Sequence, residues 1–227
     1  MTFAEACATG CFVPHFRNRA IGRETARLSA EGGGRWRLRA ETEIAVNRFT
    51  LRQTLEAAFD AGLGPEWCIV QGQVNSRPMS LEIEISGQNV SSCSRFAGRE
   101  RALSRALRHP PLLLPDNAFA AHAVAALAAM SRVDAARSES PAGPTSATQL
   151  MFTALPAGED VEARAPGSSR VLLGGREFPP PTISLRLAPD LDEHVWLADS
   201  WVGRMMVPQG QMRVEWVLEE RAEGGLS

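Results

Sequence analysis

Residues 35–46 alternate with a period of two. Trp36, Leu38, Ala40, Ile44 and Val46 fall on one side, and Arg35, Arg37, Arg39, Glu41 and Glu43 on the other. Successive side chains of a strand point to opposite faces, so this stretch has a dry face and a wet face; a helix would scatter the charges around its circumference. Gly32-Gly33-Gly34 precedes it as a turn signal, and no Gly-Lys-Ser/Thr follows to make a phosphate loop.

The same grammar recurs along the chain. Phe49, Leu51, Gln53, Leu55 and Phe59 alternate with Thr50, Arg52, Thr54 and Glu56, and Met79, Leu81, Ile83 and Ile85 alternate with Glu82 and Glu84. Residues 93–109 fit a strand pair or a helix, and their neighbours favour strands. In the second half, Ile183, Leu185 and Leu187 alternate with Ser184 and Arg186, and Met212, Val214, Trp216 and Leu218 with Arg213 and Glu215. Only residues 117–131 break the pattern. They are Ala-rich, carry Phe119, Ala123, Leu127 and Met130 on one stripe, and open on Asp116 or Asn117 as an N-cap. The expected fold is mainly β: one curved antiparallel sheet, a half-barrel or open barrel of roughly ten to thirteen strands, packed on one helix. A single domain over 1–227 is expected, with a flexible N-terminus at 1–14 and an exposed Pro/Gly/Ser loop at 133–148.

Three further stretches carry a resemblance. Leu112-Leu113-Leu114-Pro115-Asp116-Asn117 leads into the helix, residues 194–206 carry Trp196-Leu197-Ala198-Asp199 and Gly203 ahead of a final strand, and Ile21-Gly22 lies within residues 17–25. Together they resemble bacterial envelope-associated domains of unknown function with a lipoprotein-carrier (LolA/LolB-like) half-barrel fold. The resemblance implies a curved sheet around a helix-plugged apolar concavity. Such families carry an export signal. The first sixteen residues here lack a basic leader region and contain Glu5, so a cytoplasmic chain is expected, or a periplasmic one if an export signal is missing from this sequence.

Composition excludes several function classes. A net charge of −2 argues against a nucleic-acid partner. No apolar run reaches the roughly 18 residues of a transmembrane helix. Four cysteines are too few for a disulfide scaffold. All 24 basic residues are Arg, as a compositional bias of the whole chain. Cys7, Cys11 and His15 recur every four residues, but Pro14 interrupts a helix there and a fourth ligand is missing, so no metal or other cofactor is expected. Asp190, Asp192 and Glu193 lack the glycine and distal Glu of a calcium loop.

The leading functional expectation is a non-catalytic binding module whose concavity holds a lipid or other apolar small molecule. Trp36, Leu38, Phe49, Leu51, Trp67, Leu81, Ile83, Trp196 and Trp216 are its expected lining, with Arg95, Arg99 and Arg105 at the rim for an anionic head group. Ile69 and Leu185 are placed on the same inner face. The alternatives are an interaction domain with a filled core, and a hydrolase built on His122 or His194.

Overall fold

The computed structural model describes residues 8–16, 19–115, 117–139, 145–151, 160–164, 171–173, 176–179, 181, 183–188, 191–198, 201–209 and 212–223. The strands are β1 (Ala8–Phe16), β2 (Arg19–Ala20), β3 (Gly22–Glu31), β4 (Arg35–Val46), β5 (Phe49–Phe59), β6 (Pro65–Val74), β7 (Arg77–Ser86), β8 (Asn89–Phe96), β9 (Arg99–Ala106) and β10 (Pro111–Leu114). The helix α1 (Phe119–Glu139) follows. Then come β11 (Thr145–Met151), β12 (Asp160–Arg164), β13 (Val171–Leu173), β14 (Arg176–Phe178), β15 (Ile183–Ala188), β16 (Leu191–Ala198), β17 (Trp201–Gln209) and β18 (Met212–Glu223).

Among the described residues one sheet of sixteen strands runs β10-β11-β12-β15-β16-β17-β18-β1-β3-β4-β5-β6-β7-β8-β9, with β2 beside β1 and β13–β14 as a separate hairpin. The path is open: β10 and β9 are its two ends. Every pairing is antiparallel except β10 with β11, whose parallel register is bridged by α1. The fold is the expected mainly β sheet around one helix, with more strands than the rough count.

The hairpins in the first half are tight because their turn residues accept positive φ. Asn75 and Ser76 (φ 48° and 63°) join β6 to β7, and Ala97 and Gly98 (φ 49° and 82°) join β8 to β9. Two consecutive positive φ values give a turn whose twist matches that of the flanking strands. Residues 99–106 are accordingly a strand, β9, and not a helix.

Two boundaries differ from expectation. The N-terminal stretch expected to be flexible up to residue 14 is instead β1 from Ala8, paired on both sides, with β18 and with β3. Cys11, Phe12 and Val13 are buried, so this strand reads as a continuous apolar run without alternation. It also removes the helical spacing that would have aligned Cys7, Cys11 and His15; Cys7 lies outside the described residues. The loop expected over 133–148 is instead helix up to Glu139 and strand from Thr145; residues 140–144 lie outside the described residues.

The inner face of the sheet and the helix form the core. Leu38, Ala40 and Ile44 of β4, Leu51, Leu55 and Ala57 of β5, Cys68 and Val70 of β6, and Leu81 and Ile83 of β7 are all buried. Every residue from Ala118 to Ala129 is buried, on all sides of the helix. In place of the single apolar stripe expected, the helix has no wet face along this stretch, as befits one enclosed by a sheet. Its small Ala side chains let the strands approach from every direction. Phe12 of β1 packs against Phe119, with ring centroids 4.2 Å apart and the rings tilted by 38°.

Candidate functional site

Among the described residues, polar chemistry is concentrated in a buried cluster at the first turn of α1 and in a trough on the outward face of β3–β6.

At the buried cluster, Glu24 sits on the inner face of β3 and is wholly enclosed. Its carboxylate accepts from the backbone N–H groups of Phe119 (3.1 Å) and Ala120 (2.6 Å) and from the Thr42 hydroxyl (2.7 Å). The first N–H groups of a helix have no partner within it, so Glu24 supplies from another strand what a side-chain cap would supply locally. Asn117 takes φ 58°, and its carbonyl accepts from Gln53 Nε2 of β5 (3.1 Å). Asp116, the other expected cap, lies outside the described residues. Burial pushes the Glu24 carboxyl up to about 7, against the pull of the Thr42, Ala120 and Phe119 hydrogen bonds and the His122 charge.

On the opposite side of that turn, His122 Nδ1 lies 2.8 Å from Glu193 Oε2 and Nε2 lies 2.9 Å from the Pro115 carbonyl oxygen. Glu193 is fully buried and its Oε1 has no hydrogen-bond partner. Glu193, weighed in the sequence as part of a calcium loop, is thus the acid partner of His122. Both ring nitrogens are thus engaged, one by Glu193 and one by the Pro115 carbonyl. His194 faces away from the core, with Nδ1 2.9 Å from Ser184 Oγ. Among the described residues no group of three or more His, Cys, Asp or Glu side chains could hold a metal ion.

The outward trough follows from strand register. Thr25, Glu41, Thr54, Gln71 and Ser80 are aligned across β3–β7. Longer side chains flank this row: Arg27, Arg39 and Glu56 on one side, Arg23, Glu43 and Arg52 on the other. The short Thr25 and Thr54 between these long side chains leave two overlapping grooves of about 680 and 640 Å³. Glu56 binds Arg37 (3.0 Å) and Arg39 (2.9 Å), which hold its carboxyl below the usual range.

The sequence-predicted lining divides. Trp36, Leu38, Leu51, Leu81 and Ile83 are buried on the inner face, and Phe49 is half-buried at the margin of the core. Trp67 and Ile69, expected inside, face outward, because the buried phase of β6 is Cys68 and Val70. The Trp67 ring is covered by the Arg37 guanidinium, 5.1 Å from its centroid. Trp196, also expected inside, lies on the face opposite the buried Glu193 and Val195, and its Nε1 donates to the Pro179 carbonyl (3.0 Å). The Trp216 side chain lies outside the described residues. The three rim arginines separate as well. Arg95 is outward and paired with Glu100 (2.6 Å), whereas Arg99 and Arg105 share the inner side of β9. Arg105 Nε and Nη2 are buried without a hydrogen-bond partner.

Sequence reasoning missed Glu24, Thr42 and Gln53 as a set. The available signal was a polar residue in the dry phase of each of three consecutive strands.

Comparison of the chain with protein-family models, with curated proteins and with solved structures returned no match. Among the described residues no helix is long and apolar enough to cross a membrane.

Proposed function

We propose that this chain is a non-catalytic binding domain with a closed interior, meeting its partner on its outer surface. One observation carries the reading: α1 is buried on every side from Ala118 to Ala129, so the space a bound lipid would need between Leu38, Leu51 and the opposite arm is already filled. The outward trough offers Arg, Glu, Thr and Gln side chains in a regular array, a surface suited to a polar partner. Native mass spectrometry of the purified chain, combined with titration of a fluorescent fatty acid, tests this. The expected result is the bare mass and no saturable uptake; a co-purifying lipid would refute it.

A second reading is favoured by Arg105. The acids of β7–β9 (Glu82, Glu84 and Glu100) all lie outward, while the inner side presents Ile85, Val90 and Leu103 around a guanidinium with two unpartnered nitrogens. Buried N–H donors left without an acceptor cost about 1–3 kcal/mol each. An amphiphile with a carboxylate or phosphate head would satisfy them, and Arg105→Gln would then abolish the fatty-acid uptake measured in the same titration.

A further inference from the structure

The large sheet is open, and its two ends differ. At one end β10 is buried along its whole length. At the other, β9 pairs with β8 alone among the described residues, and most of its residues are exposed.

The backbone of β9 has an open side. The Leu107 N–H donates to the Gln88 carbonyl, in continuation of the β8–β9 register, and bonded and non-bonded pairs alternate along an antiparallel ladder. Arg99, Arg101, Leu103 and Arg105 therefore bond to β8. The N–H and C=O groups of Glu100, Ala102, Ser104 and Ala106 point away from it, toward the edge.

Side chains give this edge a sign. Arg99, Arg101, Leu103 and Arg105 stand in one row, opposite Phe96, Ser94, Ser92 and Val90 of β8. Glu82, Glu84 and Glu100 lie on the other face, so no carboxylate of β7, β8 or β9 shares the row. Arg105 Nε and Nη2 are buried without a hydrogen-bond partner, and Phe96, across the ladder from Arg99, is 45% exposed.

We propose that β9 is a docking edge for an extended, acidic segment of a partner protein, which adds to the sheet as a further strand with its carboxylates along the Arg99–Arg105 row. The backbone groups supply the pairing and the row supplies the selection. An acid opposite each arginine and an apolar residue opposite Leu103 give the order acid-x-apolar-x-acid-x-acid for antiparallel addition. A second copy of this chain fits worse. Antiparallel β9–β9 pairing centred on Leu103 sets Arg101 against Arg105, and pairing centred on Ala102 sets Arg99 against Arg105. Like charges directly opposite are destabilising. The edge is separate from the trough, to which β9 contributes no residue, and shares only Arg105 with the amphiphile reading.

Titration of the full chain into a fluorescent peptide, Thr-Glu-Thr-Leu-Thr-Glu-Thr-Glu-Thr, tests the proposal, with β9 amide exchange followed by NMR. Saturable binding with a dissociation constant below about 1 mM is expected, and none for the same peptide with Lys in place of Glu. The Ala102 and Ser104 amides should exchange faster than those of Arg101 and Leu103 in the chain alone, and slow when the peptide is bound. The double variant Arg99→Gln, Arg105→Gln should weaken binding about tenfold. Ala102→Pro removes an edge donor and spares the β8–β9 ladder, so it should abolish peptide binding and leave any fatty-acid uptake unchanged, which separates this proposal from the amphiphile reading. Where the proline variant fails to fold, the charge variant decides. No saturable binding, equal binding of the lysine peptide, an unchanged affinity in the double variant, or full affinity in a folded Ala102→Pro chain would each overturn the proposal. So would slow exchange of Ala102 and Ser104 without peptide, which would mean an edge already covered, by this chain or, if the protection grows with protein concentration, by a second copy.

Discussion

The carboxylate of Glu24 caps a helix that begins 95 residues further along the chain: its Oε2 accepts from the N–H of Phe119 at 3.1 Å. The neighbouring Oε1 accepts from Ala120. A strand side chain therefore does the work of an N-cap. Glu24→Ala leaves two backbone donors and the Thr42 hydroxyl buried without an acceptor. A loss of roughly 2–4 kcal/mol is expected, since each such group costs about 1–3 kcal/mol and partial relaxation recovers some of it. Urea denaturation midpoints measure this directly; a midpoint unchanged from wild type would show that the contact carries no stability.

The same residue sets a pH dependence. Its folded-state carboxyl is raised from 4.5 to about 7, so the folded chain binds this proton more tightly than the unfolded chain does. Stability from this group is therefore fully present below about pH 4.5, declines as pH rises toward 7, and is flat above that. Relative to Glu24→Gln, the wild type should lose roughly 3 kcal/mol across that window, because each tenfold difference in proton affinity between the folded and unfolded chains corresponds to about 1.4 kcal/mol. Denaturant titrations at a series of pH values, compared between the two proteins, decide it.

The phase of β6 is testable by paired truncations. Val70 is almost completely buried, whereas Ile69 is 36% exposed on the outward face. Val70→Ala should cost about 1–3 kcal/mol through lost burial and the cavity left behind. Ile69→Ala should stay within about 0.5 kcal/mol, as surface changes usually do. The reverse order of the two midpoints would place the opposite face inside.

Gly72 of β6 lies opposite Gln53 of β5. A Cβ at this position would run into the Arg52 carbonyl and lie 2.7 Å from the Gln53 Cα, both backbone atoms that cannot rotate away. Gly72→Ala should separate the strands locally and lower the thermal midpoint by several degrees, as expected for a loss of about 1–2 kcal/mol. It should also weaken the Gln53–Asn117 bond on the inner side of β5, seen as faster exchange at the start of α1.

Thiol reactivity should separate two cysteines. Burial pushes the Cys68 thiol up to about 12, so it stays protonated and inaccessible in the folded chain, while Cys93 is half-exposed on β8. A thiolate is the reactive species. Cys93 should label with a maleimide under native conditions and Cys68 only after unfolding, as peptide mapping would show.

Alternation in β4, β5 and β7 marked most of the dry and wet residues, because a strand offers only two faces and their charged side chains all lie on one of them. The single helix was equally legible, since a long Ala-rich run fits no strand. Where both phases are apolar the rule loses its grip. Trp67 and Ile69 compete with Cys68 and Val70, and only the packing of β6 on the core chose the smaller pair. The continuous apolar run of β1 hid a central strand for the same reason. The polar clamp lay beyond local reading altogether: Glu24, Thr42, Gln53, His122 and Glu193 are scattered from one end of the chain to the other, and each alone resembles an ordinary surface group. Their meeting at one helix end depends on how two arms of a sheet fold around α1, a long-range relationship that no periodicity in the chain encodes.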